Sequence, residues 1–133
     1  MIVADTNLIA YLLVTGPYTR EAEAVYEKDP EWVAPLLWRS EFRNVLVLSV
    51  RGGRLGLQDA IGVMERAERM MVGREHQAAS SVILRLAGES GCSAYDCEFV
   101  ALALGLSVPL VTSDHALLRR FKPTAVSMRA FCS

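Results

Sequence analysis

Lysine is nearly absent from this chain. Only Lys28 and Lys122 occur, so twelve of the fourteen basic residues are arginine, the side chain suited to bidentate phosphate contacts. Histidine is as sparse, and His76 and His115 are too scattered to compose a zinc set. Three cysteines, Cys92, Cys97 and Cys132, are an odd number with no C-x-x-C pair. That argues against a disulfide framework and a zinc ribbon and leaves them as small fillers. No G-K-[ST] triplet follows a strand, which excludes a P-loop. The uncharged stretch Phe99 to Val111 contains Gly105 and Pro109 and falls short of the roughly 20 residues a membrane span needs. Leu8 to Val14 is preceded by Asp5 and by no basic residue, unlike a signal peptide, so the expected location is the cytoplasm. Positive charge is not in excess either. Fourteen basic against fifteen acidic residues leave a net charge of -1, so a polyanion must meet a local patch or a bound cation.

What is present is enough for one core. Of the 133 residues 52% are hydrophobic and 22% charged, which excludes disorder and predicts a single globular domain over residues 1–133. Met1 to Ala4 reads as a buried strand, and Leu8, Ile9, Leu12 and Leu13 recur at helical spacing after it. Thr19 is placed to cap a surface helix over Arg20 to Lys28. Trp32 to Ala34 reads as a second strand, with Pro35 opening a long helix, Leu36 to Arg51. The glycines from Gly52 to Gly56 form a turn, and Leu57, Ile61, Met64 and Met71 mark the next helix. Val72 to Gln77 carries no clear period. Helices follow over Ala78 to Glu89 and over Ala94 to Leu104, the second capped by Ser93 and ended by Gly105. Pro109 to Thr112 is a strand, His115 to Phe121 a short helix and Ala125 to Met128 a last β-prone piece. Alternating strands and helices predict a parallel sheet covered on both faces.

The aspartates are informative by position. Of five, Asp29 and Asp59 look ordinary, whereas Asp5 and Asp114 each follow a strand and Asp96 opens a helix. In open parallel sheets the carboxyl ends of the strands share one rim, so Asp5 and Asp114 can converge. Glu41 shares a helical face with Leu37, Val45 and Leu48, where a carboxylate needs a partner. Each acid also has an ordinary reading. Asp5 and Asp114 can be helix N-caps, worth about 1 kcal/mol each. Asp96 can complete a capping box with Ser93, and Glu41 can pair with Arg39 or Arg43. Those readings leave unexplained why a buried face accepts Glu41 and why the acids map to one rim. Two carboxylates about 4 Å apart repel by roughly 4 kcal/mol at an effective dielectric near 20, so a gathering of acids calls for a cation. Oxygen ligands favour Mg²⁺ or Mn²⁺ over zinc.

Val3-Ala4-Asp5-Thr6-Asn7, Glu41-x-x-Asn44, Ala94-Tyr95-Asp96 and Leu110-Val111-Thr112-Ser113-Asp114 together resemble the PIN-domain nucleases, in order and over the whole chain. The length is most similar to the VapC-type toxins of toxin–antitoxin pairs. The resemblance implies a three-layer α/β/α sandwich with a central, mostly parallel sheet and a Mg²⁺- or Mn²⁺-dependent endoribonuclease. It implies Asp5, Glu41, Asp96 and Asp114 as the acidic cluster, with Asp5 and Asp96 the principal metal ligands. Thr6, Asn7, Thr112 and Ser113 would orient those carboxylates or bound water, or make ordinary turn and cap bonds. The implied partners are an RNA substrate, a cognate antitoxin and a second copy in a homodimer, with no membrane. Arg39, Arg43, Arg119 and Arg120 are candidates for RNA contact, each with a solvated-surface alternative. Tyr95 is expected to pack against its helix start and His115 to lie at the surface. Met64, Met70, Met71 and the Val45 to Val50 run are expected to serve mainly the core. Met70 to Gln77 departs from the family pattern by lacking an apolar strand. An Asp5-nucleophile phosphohydrolase fits worse, because Asn7 stands where a second acid is wanted. The alternative from another class is a catalytically silent PIN-like protein-interaction module.

Overall fold

Ile2, Val3 and Ala4 have no solvent exposure, and the sheet is built outward from them. In the computed structural model, which describes residues 1–133, the chain runs β1 (Ile2–Ala4), α1 (Thr6–Leu13), α2 (Thr19–Lys28), β2 (Trp32–Pro35), α3 (Trp38–Arg51) and α4 (Leu57–Met70). It continues through β3 (Glu75–His76), α5 (Ser80–Ser90), α6 (Ala94–Leu106), β4 (Leu110–Val111), α7 (His115–Arg120), β5 (Ala125–Val126) and α8 (Met128–Cys132). The five strands form one sheet in the order β3-β2-β1-β4-β5, with every neighbouring pair parallel. Val3 stands beside Val33 on one side and Leu110 on the other, and Ala4 beside Val111. β1, β2 and β4 are buried throughout, as strands with helices on both faces must be.

Helix α6 lies across β1, β2 and β4 with α5 beside it, while α1 packs on α2, α3 and α4. The result is an α/β/α sandwich. Trp32, Trp38, Phe42 and Phe99, all at most 1% exposed, fill the space between sheet and helices. Met71 is fully buried and Met64 and Met70 pack against the same core, whereas Leu48 stays half exposed. No helix is long and apolar enough to cross a membrane.

Several local expectations are corrected. Pro35 closes β2 opposite His76 instead of opening a helix, and α3 starts three residues later at Trp38. Thr19 is not a cap. Its hydroxyl donates to the Tyr11 carbonyl at 2.7 Å and accepts from the Gly16 N–H at 3.0 Å, tying the α1–α2 loop together. α6 runs through Gly105 to Leu106 and ends on Ser107, whose φ of 56° is left-handed. The helix before it ends on Gly91, whose φ of +77° suits a residue without a Cβ. The uncertain stretch Val72 to Gln77 contains the edge strand β3. The β-prone piece near the end divides into β5 and the short α8, started by Ser127, whose hydroxyl accepts from the Ala130 N–H. Cys97 is buried and Cys92 half-buried as expected of fillers, but Cys132 is exposed.

Candidate active site

The sheet grows from β1 through β2 to β3 on one side and from β4 to β5 on the other, so the strand order switches between β1 and β4. The carboxyl ends of strands at such a switch frame the crevice that binds ligands in open α/β sheets. Asp5 follows β1 directly, and its N–H donates to the Val111 carbonyl at 3.2 Å, extending the ladder into the loop. Thr112, Ser113 and Asp114 follow β4 at the same edge.

Asp5 is the N-cap of α1. One carboxylate oxygen accepts from the Thr6 N–H at 2.8 Å, and the other accepts from the Thr112 hydroxyl at 2.5 Å. The Thr112 oxygen in turn accepts from the Asp114 N–H at 3.0 Å, so one buried threonine fixes both acids. Asp114 caps α7 by accepting from the Leu117 N–H at 3.0 Å. Glu41, in the first turn of α3, forms no ion pair with Arg39 or Arg43 but accepts from the Thr6 hydroxyl at 2.7 Å. Asp96, in the first turn of α6, makes half of a capping box. Its N–H donates to the Ser93 hydroxyl at 3.0 Å. Capping thus accounts for one oxygen each of Asp5 and Asp114 and for none of Glu41.

The charges feel one another. Burial pushes the Asp5 carboxyl above the usual range, with the Asp96 and Asp114 carboxylates adding to the rise and the bonds from Thr112 and Thr6 opposing it. Burial likewise raises Glu41, opposed by the bond from Thr6 and aided by repulsion from Asp5, Asp96 and Glu98, and raises Asp96, aided by repulsion from Asp114 and opposed by a bond from the Ser93 side chain. Asp5 thus lies within electrostatic reach of Asp96 and Asp114, and Glu41 within reach of Asp5, Asp96 and Glu98. Sequence reasoning missed Glu98, although it and Asp96 are the only charged residues of the thirteen in α6. No basic group offsets them. The ion pairs join the Met1 amino group to Asp29 and Arg39 to Glu68 and Glu75, away from the acids. The donor set is all oxygen and suits a hard divalent cation. No three of these side chains lie close enough together to form a metal-holding group by themselves.

Of the flanking residues, Thr6 and Thr112 bond the acids directly. Asn7 is exposed without a side-chain bond, and the Ser113 hydroxyl pairs with the Tyr11 hydroxyl at 3.2 Å. Tyr95 does not pack against its helix start as expected but is 65% exposed beside Asp96. His115 is exposed. Arg43, Arg119 and Arg120 are exposed and free for contact, whereas Arg39 is engaged inside the protein.

The family model described as PIN domain matches residues 2–122. The chain belongs to the PIN domain family. That family is generally one of nucleases, and the acids found here occupy the matched span. Two solved structures share the fold of this PIN domain. PAE2754 from Pyrobaculum aerophilum is 20% identical with a TM-score of 0.78, over 98% of this chain and 92% of that one. FitAcB from Neisseria gonorrhoeae is 19% identical with a TM-score of 0.73, over 97% of this chain and 99% of that one. No curated protein sequence matches.

Proposed function

We propose that this PIN domain is a Mg²⁺- or Mn²⁺-dependent endoribonuclease and the toxin of a VapC-type toxin–antitoxin pair. The observation that supports the reading is the mutual repulsion of Asp5 with Asp96 and Asp114, and of Glu41 with Asp5 and Asp96, with no ion pair to offset it. When bound, a divalent ion offsets that charge and supplies an acidified water and a positive centre for phosphodiester oxygens. Asp5 and Asp96 are its principal ligands, with Glu41 and Asp114 completing the set. The Thr112 and Thr6 hydroxyls aim the Asp5 and Glu41 carboxylates, as outer hydrogen bonds do at metal sites. No side-chain nucleophile is required. Arg43, Arg119 and Arg120 supply local positive charge for the RNA backbone, which the near-neutral chain does not provide as a whole.

The partners proposed with this role are a second copy of the chain and a cognate antitoxin whose tail covers the acidic crevice. The test is incubation with structured RNA, with and without Mn²⁺, of the wild type and the Asp5→Asn and Asp96→Asn variants. Cleavage confined to wild type with Mn²⁺ supports the reading. Equal cleavage by all three proteins, or cleavage that survives excess chelator, refutes it. A folded wild type that cleaves nothing under any condition returns the chain to the silent interaction module.

A further inference from the structure

Beside the acidic rim lies a cavity of about 400 Å³ that the nuclease reading leaves unused. It shares Thr112, whose hydroxyl holds Asp5, and takes Ser113 and His115 from either side of Asp114. Its volume falls within the roughly 300–1,000 Å³ of sites that receive small ligands. Tyr11 and Tyr18 also line it. Their rings meet at 5.0 Å between centroids with a 45° tilt, and the Tyr11 hydroxyl bond to Ser113 fixes the inner ring. The outer ring, Tyr18, is 48% exposed and makes no side-chain hydrogen bond. An open aromatic face braced by a second ring, next to a phosphodiester-binding crevice, matches what a splayed nucleobase stacks on.

The rest of the lining is mixed in charge, with the Glu21 carboxylate on α2 facing the same cavity as one basic group. Arg129 on α8 borders the cavity, is exposed and belongs to no ion pair, so its guanidinium is free for a phosphate. Past Arg129 the cavity adjoins a second hollow of about 500 Å³ between α2 and α8, which leaves room for the strand to continue. Stacking matters more here than in a basic nuclease, because the net charge of -1 provides no general attraction for RNA.

We propose that this cavity is a nucleobase subsite, in which the base of a nucleotide flanking the scissile phosphate stacks on Tyr18 while Arg129 meets the strand backbone. The RNA context rests on the nuclease reading above, and the test separates the two. Ribonucleoside 5′-monophosphates and, as a baseless control, ribose 5-phosphate are titrated without metal into the wild type, with amide NMR signals as readout. Shifts at Tyr18, Ser113 and Arg129 with the nucleotides and not with ribose 5-phosphate are expected. No shift at millimolar nucleotide, or equal shifts with ribose 5-phosphate, overturns the subsite.

In Mn²⁺-dependent cleavage of a short single-stranded RNA, Tyr18→Ala is expected to raise KM roughly tenfold with a smaller change in kcat, and Tyr18→Trp to restore KM. The Tyr18→Ala penalty should vanish on an RNA with abasic sites beside the cleaved bond. An unchanged KM, or a penalty as large on the abasic RNA, overturns the subsite while leaving the nuclease reading intact. Nucleotide binding with no RNA cleavage supports the subsite and defeats the nuclease reading instead.

Discussion

The Thr112 hydroxyl donates to the Asp5 carboxylate at 2.5 Å across the seam between β1 and β4, joining residues 107 positions apart in the chain. The same oxygen accepts from the Asp114 N–H, so the acid that follows β1 and the acid that follows β4 are held by one atom. Replacing Thr112 by Val keeps the volume but strips the donor from Asp5 and the acceptor from Asp114. The expected cost is about 1–3 kcal/mol of stability in urea denaturation. On the proposed function, Mn²⁺ affinity falls by roughly 10- to 100-fold as well. A variant as stable as the wild type would show that the bond does not position Asp5.

Asp5→Asn should separate the metal's contribution to stability from that of the fold. Asparagine retains the cap oxygen toward Thr6 and removes a charge that Asp96 and Asp114 repel, but it turns an NH₂ toward the Thr112 hydroxyl, which loses its acceptor. Without metal these effects oppose one another, and the variant is expected to melt within a few degrees of the wild type. Mn²⁺ at about 100 times its Kd should stabilise the wild type by about 2.7 kcal/mol, which corresponds to a melting shift on the order of 5–10 °C, and the variant hardly at all. Equal metal-induced shifts in differential scanning calorimetry would remove Asp5 from the ligand set.

The metal-free protein is expected to gain stability as pH falls from neutrality into mild acid. Asp5, Glu41 and Asp96 are all held above the usual carboxylate range, so between about pH 4 and those raised values the folded state binds more protons than the unfolded one. Stability is therefore lost as pH rises through the raised values. Saturating Mn²⁺ should abolish that trend. Denaturant midpoints measured at several pH values, with and without the ion, check both limbs.

At lower pH the edge strand takes over. The Arg39 guanidinium beside Glu75 holds the Glu75 carboxyl below the usual range, through bonds of 2.6 and 2.9 Å, with the Trp38 indole N–H adding a third at 2.8 Å. A depressed carboxyl contributes stability that is present above about 4.3 and is lost as pH falls through the folded value. Glu75→Gln should therefore flatten the acid limb below about pH 4 and loosen β3, read as faster amide exchange at Glu75 and His76. An unchanged acid limb would assign it to other groups.

The parts of the fold that are legible in the sequence are those where burial and chemistry coincide. Ile2-Val3-Ala4 and Leu110-Val111 are wholly apolar and end at Asp5 and near Asp114, so strand and rim can be read together. Glu41 stands out because an apolar helical face does not accept a lone carboxylate. β3 was illegible for the opposite reason. Glu75 and His76 pair with Ala34 and Pro35 through the backbone, and a salt bridge from Arg39 holds the strand where apolar burial does not. Arg39 reads as a free cation in the sequence, which does not reveal that Glu68 and Glu75 flank it in space. Thr112 reads as a strand residue, and only the pairing of β1 with β4 shows its hydroxyl between two acids. α8 escaped because five residues offer less than two turns of periodicity. Glu98 was within reach by the reasoning that found Glu41, as an acid in an otherwise apolar helix.

On the proposed function, Asp5 and Asp96 hold one shared cation. Isothermal titration of Mn²⁺ into the wild type and into Asp5→Asn and Asp96→Asn tests it without reference to any substrate. Saturable binding to the wild type that is lost or strongly weakened in both variants is the predicted result. Binding equal in all three proteins, or absent from the folded wild type, would contradict it.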